Sequence, residues 1–568
     1  MQAGHGQHVK NAYNLYLYFW RWALWKVFEQ RAATGPGVVC FISASSFIDG
    51  DAFVGVREHV RRVCDEVWVL DLGGEGRGTR QSENVFSIRT PVAITVAVRS
   101  GEAKEEAPAA VHYARIEGSR DEKLARLDSI ESFGDVEWAD CPAGWQEPFR
   151  PAGTGAYFQW PQLVDLFPWQ HSGGELKRTW PISSDSGTLE RRWRGLLTAS
   201  DRAAAFRETR DRKVSGRYKP LPPQKVRATA IDEVAADAPL PQVERYAYRS
   251  FDRQWVLADS RLGDFLRPDL WSVRGKEQVY LTTLLNHPLG TGPALTATAL
   301  VPDRHHFRGS FGGKEAIPLY CNPQATKPNI TPGLLRLVSK MFRAQVSPQD
   351  LLAYVYGVLA QPAFTERFRE ELITRELRVP MTKDAELFVQ MRDIGRKLLY
   401  LHTYCERFVP EGRKRGQTPR GAARCTAPAP SEPESYPDHY DYNEATGTLT
   451  VGGGRFEPVA REVYEFEVSG LKVVQSWLSY RMKNGHGRKS SPLDDIRPER
   501  WTSEFTTELL ELLWVLEATL EQYPRQAELL DEILRRPLFT AAELPEVPEW
   551  ARKPPSRRHK ETLIPEDD

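Results

Sequence analysis

The sequence predicts an α/β fold at its N-terminus, in the form of part of a doubly wound sheet. Apolar residues recur every three or four positions from Tyr13 to Val27, which is the spacing of one helical face. The runs Val38–Ile42 and Val67–Leu72 are almost continuously apolar, as strands buried on both faces are. A second predicted helix, Phe53–Val63, separates them and completes a strand-helix-strand unit.

Further strands are predicted at Asn84–Ile88 and Val92–Val98, with an edge strand at Val111–Ile116. These elements amount to about half of a doubly wound sheet. A mixed α+β region follows, with aromatic β-like segments over 246–311 and helical patterns over 348–408. The C-terminal part is predominantly helical in pattern.

A chain of 568 residues is too long for one core, so several domains are expected. We expect the partial sheet in residues 1–128 and a connecting region with a basic run in 129–244. The mixed region would be 245–408, followed by a Pro-rich and Arg-rich linker over 409–445. A helical domain over 446–544 and a disordered tail over 545–568 would complete the chain.

The composition excludes several classes of protein. Lys plus Arg, at 76, equals Asp plus Glu, at 76, so nucleic-acid affinity would have to come from local basic surfaces. The six cysteines form no short-spaced pair, which argues against a zinc site and a disulfide framework. The apolar stretch Tyr13–Phe28 is too short and too charged to span a bilayer. We therefore expect a cytoplasmic protein with no membrane association.

Four N-terminal segments in order resemble a known family: Asn11–Trp22, Gly37–Ile48, Val69–Gly74 and Asn84–Ile88. They are similar to the segment that follows the catalytic Asn-Pro-Pro-Tyr loop in γ-class adenine-N6 DNA methyltransferases, especially type ISP (single-chain type I) restriction-modification enzymes. Tyr280–Tyr320 and Asp350–Tyr356 resemble the C-terminal specificity region of that family. The resemblance implies that 1–128 is the C-terminal half of a methyltransferase catalytic domain and 245–408 a target-recognition domain.

The catalytic loop of that family is absent from this sequence. The Pro-Pro pairs, Pro222-Pro223 and Pro554-Pro555, are followed by Gln and Ser, not by an aromatic residue. Methyl transfer needs an acceptor for the hydrogens of the adenine amino group, and the missing loop supplies it. We therefore expect an incomplete enzyme whose catalytic loop lies upstream or on another chain. S-adenosylmethionine would bind only with that missing segment.

The resemblance implies a target-base pocket and a cofactor-pocket border. Phe86 would stack on an adenine flipped out of the duplex, although a core phenylalanine on a buried strand is an equal alternative. Tyr16 and Phe19, on the first helix, would border the adenine ring of S-adenosylmethionine, although aromatic stripes at helical spacing are more often core. The rest of the base pocket would be Asn84, Ser45 and Phe47, with a turn and a connecting loop as the simpler interpretations.

Two basic segments are candidates for contact with double-stranded DNA. The first basic segment, Arg207–Arg227, is a run with few acids, for which the alternative is a solvated helix end and linker. The second, in the region resembling a recognition domain, offers donors to guanine edges or phosphates. The candidate residues are Arg212, Lys213, Arg217, Tyr218, Lys219, Arg304, His306 and Arg308. A third basic stretch, Arg481–Lys489, is more simply a surface loop.

Two patterns are set aside. The glycines of Gly73–Gly78 follow a strand, but a nucleotide-binding loop needs a helix after it, and Thr79–Glu83 leads into another predicted strand. His305 and His306 are adjacent, but no acid or cysteine lies at ligand spacing, so no metal is expected.

Three functions therefore remain. The first is an adenine-specific DNA methyltransferase segment of a restriction-modification or related phage-defence enzyme, which would supply base-pocket residues and sequence recognition. The second is a non-catalytic DNA-binding or interaction remnant. The third is a subunit of a helicase-associated defence complex.

Overall fold

The computed structural model describes residues 15–30, 35–74, 83–88, 90–101, 106–151, 155–285, 287–309, 315–483 and 489–556. The chain divides into two compact units, Met1–Thr154, called unit 1, and Gly155–Asp568, called unit 2. None of the described helices combines the length and the apolarity that crossing a bilayer requires.

Unit 1 contains a five-stranded sheet in the order β1-β3-β2-β4-β5. The strands are β1 (Gly37–Ala44), β2 (Glu66–Gly73), β3 (Val92–Arg99), β4 (Ala110–Arg115) and β5 (Ala139–Asp140). The helices are α1 (Leu15–Leu24), followed by a π-helical turn (Trp25–Glu29), α2 (Val54–Val63) and α3 (Arg120–Asp128). In their described parts, the predicted helices over 13–27 and 53–63 and the strands over 38–42, 67–72 and 92–98 are confirmed, with bounds shifted by a few residues.

The strand order of unit 1 differs from a doubly wound parallel sheet. Strand β3 lies between β1 and β2 and is antiparallel to both, whereas β2 and β4 are parallel. Strand β4, predicted at the edge, has the short β5 outside it. The α/β class is therefore confirmed, but the parallel arrangement is not, because an apolar run predicts burial and carries no information about which strand is its neighbour.

The predicted strand at Asn84–Ile88 is wrong, because these residues form a turn. Ser87 has a φ of 56°, a left-handed conformation that does not occur in a regular strand. The Asn84 side chain accepts a hydrogen bond from the backbone N–H of Phe86. Such local pairing between a side chain and the backbone replaces the ladder of a sheet.

Helix α1 covers one face of β1. Leu17, Trp20 and Leu24 are buried at helical spacing, as predicted. The Trp20 ring centroid lies 5.2 Å from that of Phe41, and Trp20 Nε1 donates a hydrogen bond to Ser43 Oγ. These contacts fix α1 across the strand and bury the aromatic stripe that the sequence shows.

The opposite face of β1 and β3 stays largely open. Val38 is 58% exposed and Ile42 is 52% exposed, and Cys40 between them is also exposed. Strand alternation directs these three side chains to one face, beside their half-buried β3 partners. Those partners are Val98, Val96 and Ile94. The part of this sheet face that β1 forms therefore exposes aliphatic side chains to solvent.

Unit 2 contains several small antiparallel sheets. A three-stranded sheet has the order β6-β8-β7, a second has the order β10-β9-β11, a four-stranded sheet has the order β12-β15-β14-β13, and β16 pairs with β17. The strands are β6 (Ile182–Ser183), β7 (Val243–Arg249), β8 (Asp252–Leu257), β9 (Tyr280–Thr282), β10 (Thr296–Thr298), β11 (Ala316–Pro318), β12 (Arg424–Ala427), β13 (Tyr440–Asn443), β14 (Thr448–Val451), β15 (Gly454–Glu457), β16 (Glu467–Val468) and β17 (Leu471–Lys472).

The helices of unit 2 surround these sheets. They are α4 (Leu163–Leu166), α5 (Ser186–Thr198), α6 (Arg202–Phe206), α7 (Pro268–Ser272), α8 (Leu334–Phe342), α9 (Pro348–Leu359), α10 (Pro362–Arg367), α11 (Ala385–His402), α12 (Arg461–Tyr464), α13 (Val473–Ser479), α14 (Ser503–Leu520) and α15 (Tyr523–Leu534). The helices predicted over 348–408 are confirmed. The stretch 246–311, predicted to be mainly β, has short strands separated by irregular segments and helix α7 in its described part.

The predicted linker over 409–445 and tail over 545–568 differ from the structure. Two strands of the four-stranded sheet, β12 and β13, lie within 409–445, and Tyr436 is buried there. In the described part of the tail, Glu549–Arg552 forms a 3-10 helix with Ala551 buried. The many Pro and charged residues of both stretches predict solvation, but a few apolar side chains are enough to bind them to the core.

A buried ionic cluster joins the β7–β8 hairpin to helix α14. Arg481, which has no exposed surface, lies 2.9 Å from Asp252 and 3.4 Å from Glu508. Its guanidinium also lies 3.7 Å from the ring centroid of Trp477. Further ion pairs join the same hairpin and helix, namely Arg245 with Glu504 and Glu508, and Arg253 with Glu511. Because an unpaired buried charge is costly, the cluster holds the two elements together.

We expect Gly395→Ala to destabilise unit 2. A Cβ atom at Gly395 would lie 1.8 Å from the carbonyl oxygen of Ala353, where helices α9 and α11 cross. Overpacking of this kind costs about 1–3 kcal/mol, more than the roughly 1 kcal/mol of helix propensity that alanine contributes. Urea unfolding measures the difference. Gly55→Ala, in α2, is the matched control, because no atom lies within 4 Å of its added Cβ. Equal stability of the Gly395→Ala and wild-type chains would contradict the close helix crossing.

Candidate nucleic-acid interface

The loops that follow β1 and β2 lie together at one edge of the unit 1 sheet, where both strands end. Because β3 is antiparallel to both strands, β1 and β2 run in the same direction and end at this edge. The backbone N–H of Ser45, just after β1, donates to the carbonyl of Pro91 at 3.0 Å. The loop after β1 therefore adjoins the end of the loop that carries Phe86.

Phe86 is exposed on a turn that Asn84 organises. The Nδ2 of Asn84 donates to the carbonyls of Gly74, at 3.2 Å, and Thr90, at 2.7 Å, and its Oδ1 accepts from the N–H of Phe86 at 2.9 Å. Asn84 is buried, whereas the Phe86 side chain is 51% exposed. The phenylalanine is therefore not the core residue that a strand would have made of it.

Side chains of helix α3 hydrogen-bond to the backbone of the same turn. The buried Nζ of Lys123 donates to the carbonyls of Leu72 and Glu83, at 2.7 and 2.8 Å. Arg120 Nε donates to the carbonyl of Val85 at 3.0 Å. With its backbone fixed on both sides, the turn presents the Phe86 ring in a preorganised position.

The other predicted base-pocket residues have different surroundings. Ser45 is half-buried at the sheet edge. Phe47 is buried, and its ring centroid lies 5.8 Å from Trp20 and 6.2 Å from Phe149. In this structure the apolar ring of Phe47 completes the core beneath the loop, and its role in a base pocket stays a prediction. Asn84 shapes the turn, since its amide is used by the backbone.

Tyr16 and Phe19, the predicted cofactor-pocket residues, lie on one flank of α1. The Tyr16 ring lies 6.3 Å from that of Phe53. Burial raises the pKa of Tyr16 to about 12, and a hydrogen bond with Ser46 opposes the rise. Phe19 is exposed one helical turn later. Both rings offer flat apolar surfaces, and neither side chain carries a charge at neutral pH.

A buried polar network lies in the strands beneath this edge and was missed by the sequence analysis. Asp71, on β2, accepts hydrogen bonds from the Tyr113 hydroxyl at 2.8 Å and from Arg115 at 3.0 Å. Arg150 lies 3.9 Å from Asp71 and 3.4 Å from Asp49 in the loop after β1. Burial, and then the charge of Asp71, raise the pKa of Tyr113. The signal was Asp71, the one acid in the apolar run Val67–Leu72, because buried carboxylates need partners.

In unit 2, the first basic segment divides into internal and external residues. The Arg212 guanidinium lies 4.3 Å from the Tyr218 ring centroid, and Arg212 Nε donates to the Ser260 carbonyl. Arg217 forms an ion pair with Glu233 at 2.7 Å. Lys213 and Lys219 are exposed. Of the predicted DNA contacts, the two lysines therefore face solvent, whereas Arg212 and Tyr218 stabilise the conformation of the segment itself.

The second basic segment is more deeply buried than predicted. Arg304 pairs with Glu175 at 2.7 Å, and Arg308 Nε donates to the Ser469 carbonyl at 2.7 Å. His306 is buried and its Nδ1 lies 2.8 Å from Thr282 Oγ1. In this conformation the core encloses the imidazole of His306, and its contact with DNA stays a prediction. Of the third basic stretch, 484–488 lies outside the described residues, and Arg481 is in the ionic cluster.

Comparisons with known proteins identify the larger unit. Residues 165–512 match the family described as "Type ISP C-terminal specificity domain". No curated protein sequence matches the chain significantly.

Several solved structures have the same fold. The cryo-EM structure of the DrdV–DNA complex is 18% identical, with 93% of this chain and 53% of that chain covered and a TM-score of 0.63. The ATP-dependent Type ISP restriction-modification enzyme LlaBIII bound to DNA is 16% identical, with 95% and 35% covered and a TM-score of 0.64. A nuclease-deletion mutant of the Type ISP enzyme LlaGI with a DNA substrate mimic is 18% identical, with 92% and 41% covered and a TM-score of 0.59. The present chain thus spans about half or less of the length of these proteins.

We expect the buried His306 to make unit 2 sensitive to acid. Burial, and then the charge of Arg249, lower the pKa of His306 to about 3. The unfolded chain, in which the pKa is near 6.5, binds this proton as the pH falls below that value, and the folded chain does not. The free energy of unfolding therefore decreases as the pH is lowered from about 6.5 to 3, by up to about 1.4 kcal/mol per pH unit. Urea unfolding at several pH values should show a shallower decline for His306→Gln. Parallel declines in the two proteins would contradict a buried neutral imidazole.

Proposed function

Because this chain belongs to the family of Type ISP C-terminal specificity domains, we propose that it recognises double-stranded DNA as part of a restriction-modification enzyme. The observation that carries the proposal is the family match, which spans most of unit 2. The matched structures, each of a protein in complex with DNA or a DNA substrate mimic, support it. The exposed cations of the first basic segment supply the phosphate contacts that such binding needs.

For unit 1 we propose a part in adenine-N6 methylation, with Phe86 as a wall of the target-base pocket. An exposed aromatic ring on a fixed turn can stack on a base that has left the duplex, and stacking offsets part of the cost of unpairing. Ser45, on the adjoining loop, would lie beside that pocket. Phe86 thus acts by holding the base, and the sequence offers no Asn-Pro-Pro-aromatic loop to accept the proton.

S-adenosylmethionine would supply the methyl group to such an enzyme. The residues of unit 1 fit one part of that cofactor, because Tyr16 and Phe19 offer planar apolar surfaces suited to its adenine ring. They do not fit the charged methionine part, which needs ionic or polar partners. Those partners, like the catalytic loop, would come from a further polypeptide segment.

The open face of β1 and β3 supports this need for a further segment. Val38, Cys40 and Ile42 leave an apolar sheet face uncovered, and the outer edge of β1 pairs with no strand among the described residues. A neighbouring methyltransferase segment could add a strand to that edge and a helix to that face. The extra length of the matched structures, of which this chain spans 35–53%, is consistent with it.

A second candidate is DNA recognition without chemistry. It is favoured by one observation, namely that the amide of Asn84, two residues before Phe86, donates to two backbone carbonyls and accepts from a backbone N–H. In that case unit 1 would bind an unstacked base and leave it unchanged.

DNA binding by the basic segment should depend steeply on salt. We expect the substitution of Lys213, Lys219, Lys225 and Arg227 by Ala to weaken duplex binding. It should also reduce the slope of log K against log salt by about 0.9 for each phosphate that the variant no longer neutralises. Fluorescence anisotropy with a labelled duplex of about three helical turns at several salt concentrations measures both quantities.

The control for that experiment replaces Arg461 and Arg525 by Ala. These two exposed arginines are each paired with two glutamates, so their charge is already offset. If the slope of the lysine variant equalled that of wild type, the basic segment would not bind phosphates.

Phe86→Ala should weaken binding to an unpaired adenine. A duplex with a mismatched adenine gives up that base more easily than a paired one, so the wild-type chain should prefer it. Loss of stacking should reduce this preference by about 5- to 150-fold, the equivalent of roughly 1–3 kcal/mol. Ile88→Ala, at an exposed neighbour on the same turn, should retain the preference. Equal preference in the Phe86→Ala and wild-type chains would remove the stacking role.

A further inference from the structure

The loop between Leu221 and Ile231 is fixed at both ends and exposed between them. Leu221 and Ile231 are buried in the core of unit 2. Near the first end, the Gln224 N–H donates to the Leu221 carbonyl at 3.0 Å. Near the second end, Arg261 Nη1 donates to the Thr229 carbonyl at 2.7 Å. All residues from Pro223 to Thr229 are exposed. The tip is therefore an anchored surface loop with its side chains in solvent.

The tip combines an apolar side chain with two cations. Val226 is 84% exposed, the largest exposed fraction among the large apolar residues of the described chain. Lys225 and Arg227 flank it directly. Single exposed apolar residues are common on protein surfaces. This one differs in its setting, at the tip of a loop and between two positive charges.

The charge around the tip has one sign over a long stretch. No acid occurs between Asp211 and Asp232, whereas Arg212, Lys213, Arg217, Lys219, Lys225 and Arg227 all lie there. Such a segment attracts a polyanion and repels cationic surfaces. A protein partner with an apolar pocket would not need this charge, whereas a duplex, with phosphates on both sides of each groove, suits it.

We propose that Lys225, Val226 and Arg227 form a DNA-reading tip, in which the two cations bind phosphates across a groove and Val226 packs against a base. This inference rests on the proposed recognition of duplex DNA and adds to it a residue that reads sequence. The apolar group that bases present in the major groove is the thymine methyl, which an aliphatic side chain contacts in preference to polar base edges. Val226 therefore favours a T·A pair at one position of the site.

An apolar interaction with a base and an ionic interaction with a phosphate respond differently to salt. Removing a cation from a phosphate changes the slope of log K against log salt, because a counterion is no longer released. Removing an apolar side chain from a base lowers affinity equally at every salt concentration. This difference separates the role of Val226 from that of its two neighbours.

The test begins with duplexes that the wild-type chain enriches from a random-sequence pool. We expect Val226→Ser to bind these duplexes about 3- to 10-fold more weakly, with an unchanged salt slope, as the removal of a partly buried valine implies. Lys225→Ala and Arg227→Ala should each reduce the slope by about 0.9. Val389→Ser is the matched control, since Val389 is an exposed valine on α11 and Val and Ser have similar helix propensities. It should bind as wild type does.

A second arm replaces thymine by deoxyuridine in the enriched duplex. Removing the methyl should weaken wild-type binding by the same factor as Val226→Ser and should have no further effect on that variant. A weaker Val226→Ser variant, together with wild-type binding that deoxyuridine leaves unchanged, would indicate insertion at a base step and would overturn the methyl contact.

The failures of the two proposals are distinguishable. Wild-type affinity in Val226→Ser, or an equal decrease in Val389→Ser, would overturn the reading tip while leaving DNA recognition intact. A random pool from which the wild-type chain retains no duplex would refute the proposed function itself, and the tip with it.

Discussion

The pairing of Arg481 with Asp252 and Glu508 is the constraint on which the order of unit 2 depends. A guanidinium with no exposed surface needs polar partners to offset its lost hydration, and here two carboxylates supply them from a strand and a helix that are far apart in sequence. Acidic residues of α14 form further ion pairs with arginines of the same hairpin. Register between the β7–β8 hairpin and the C-terminal helices is thereby set by charge as well as by apolar packing.

In unit 1 the corresponding constraint is local. Asn84 closes a turn by three hydrogen bonds to backbone groups, and Lys123 and Arg120 bind the same backbone from α3. The energy of these contacts holds one exposed ring in place without burying it. A strand through the same residues would have paired the backbone with a neighbour and turned alternate side chains into the core. Hydrogen bonding by side chains thus leaves Phe86 available for a ligand.

The sequence predicts elements that local periodicity determines. The buried stripe of α1, the apolar runs of β1 and β2, and the helical pattern over 348–408 can each be recognised within a short stretch of sequence. The antiparallel position of β3 and the strands of 424–427 and 440–443 depend on distant partners, which no local window contains. Phe47 and His306 illustrate the same limit at the site, because their burial is decided by Trp20, Phe149 and Thr282.

The outer edge of β1, which pairs with no strand in the described part of the chain, affects the tendency of the protein to aggregate. A strand with unpaired backbone groups and an aliphatic face is a template on which any other extended chain can grow. Backbone hydrogen bonds carry no sequence information, so a second copy of this chain can pair with that edge as readily as any other strand. We therefore expect the tendency of this protein to aggregate during synthesis to depend on how soon another strand covers that edge.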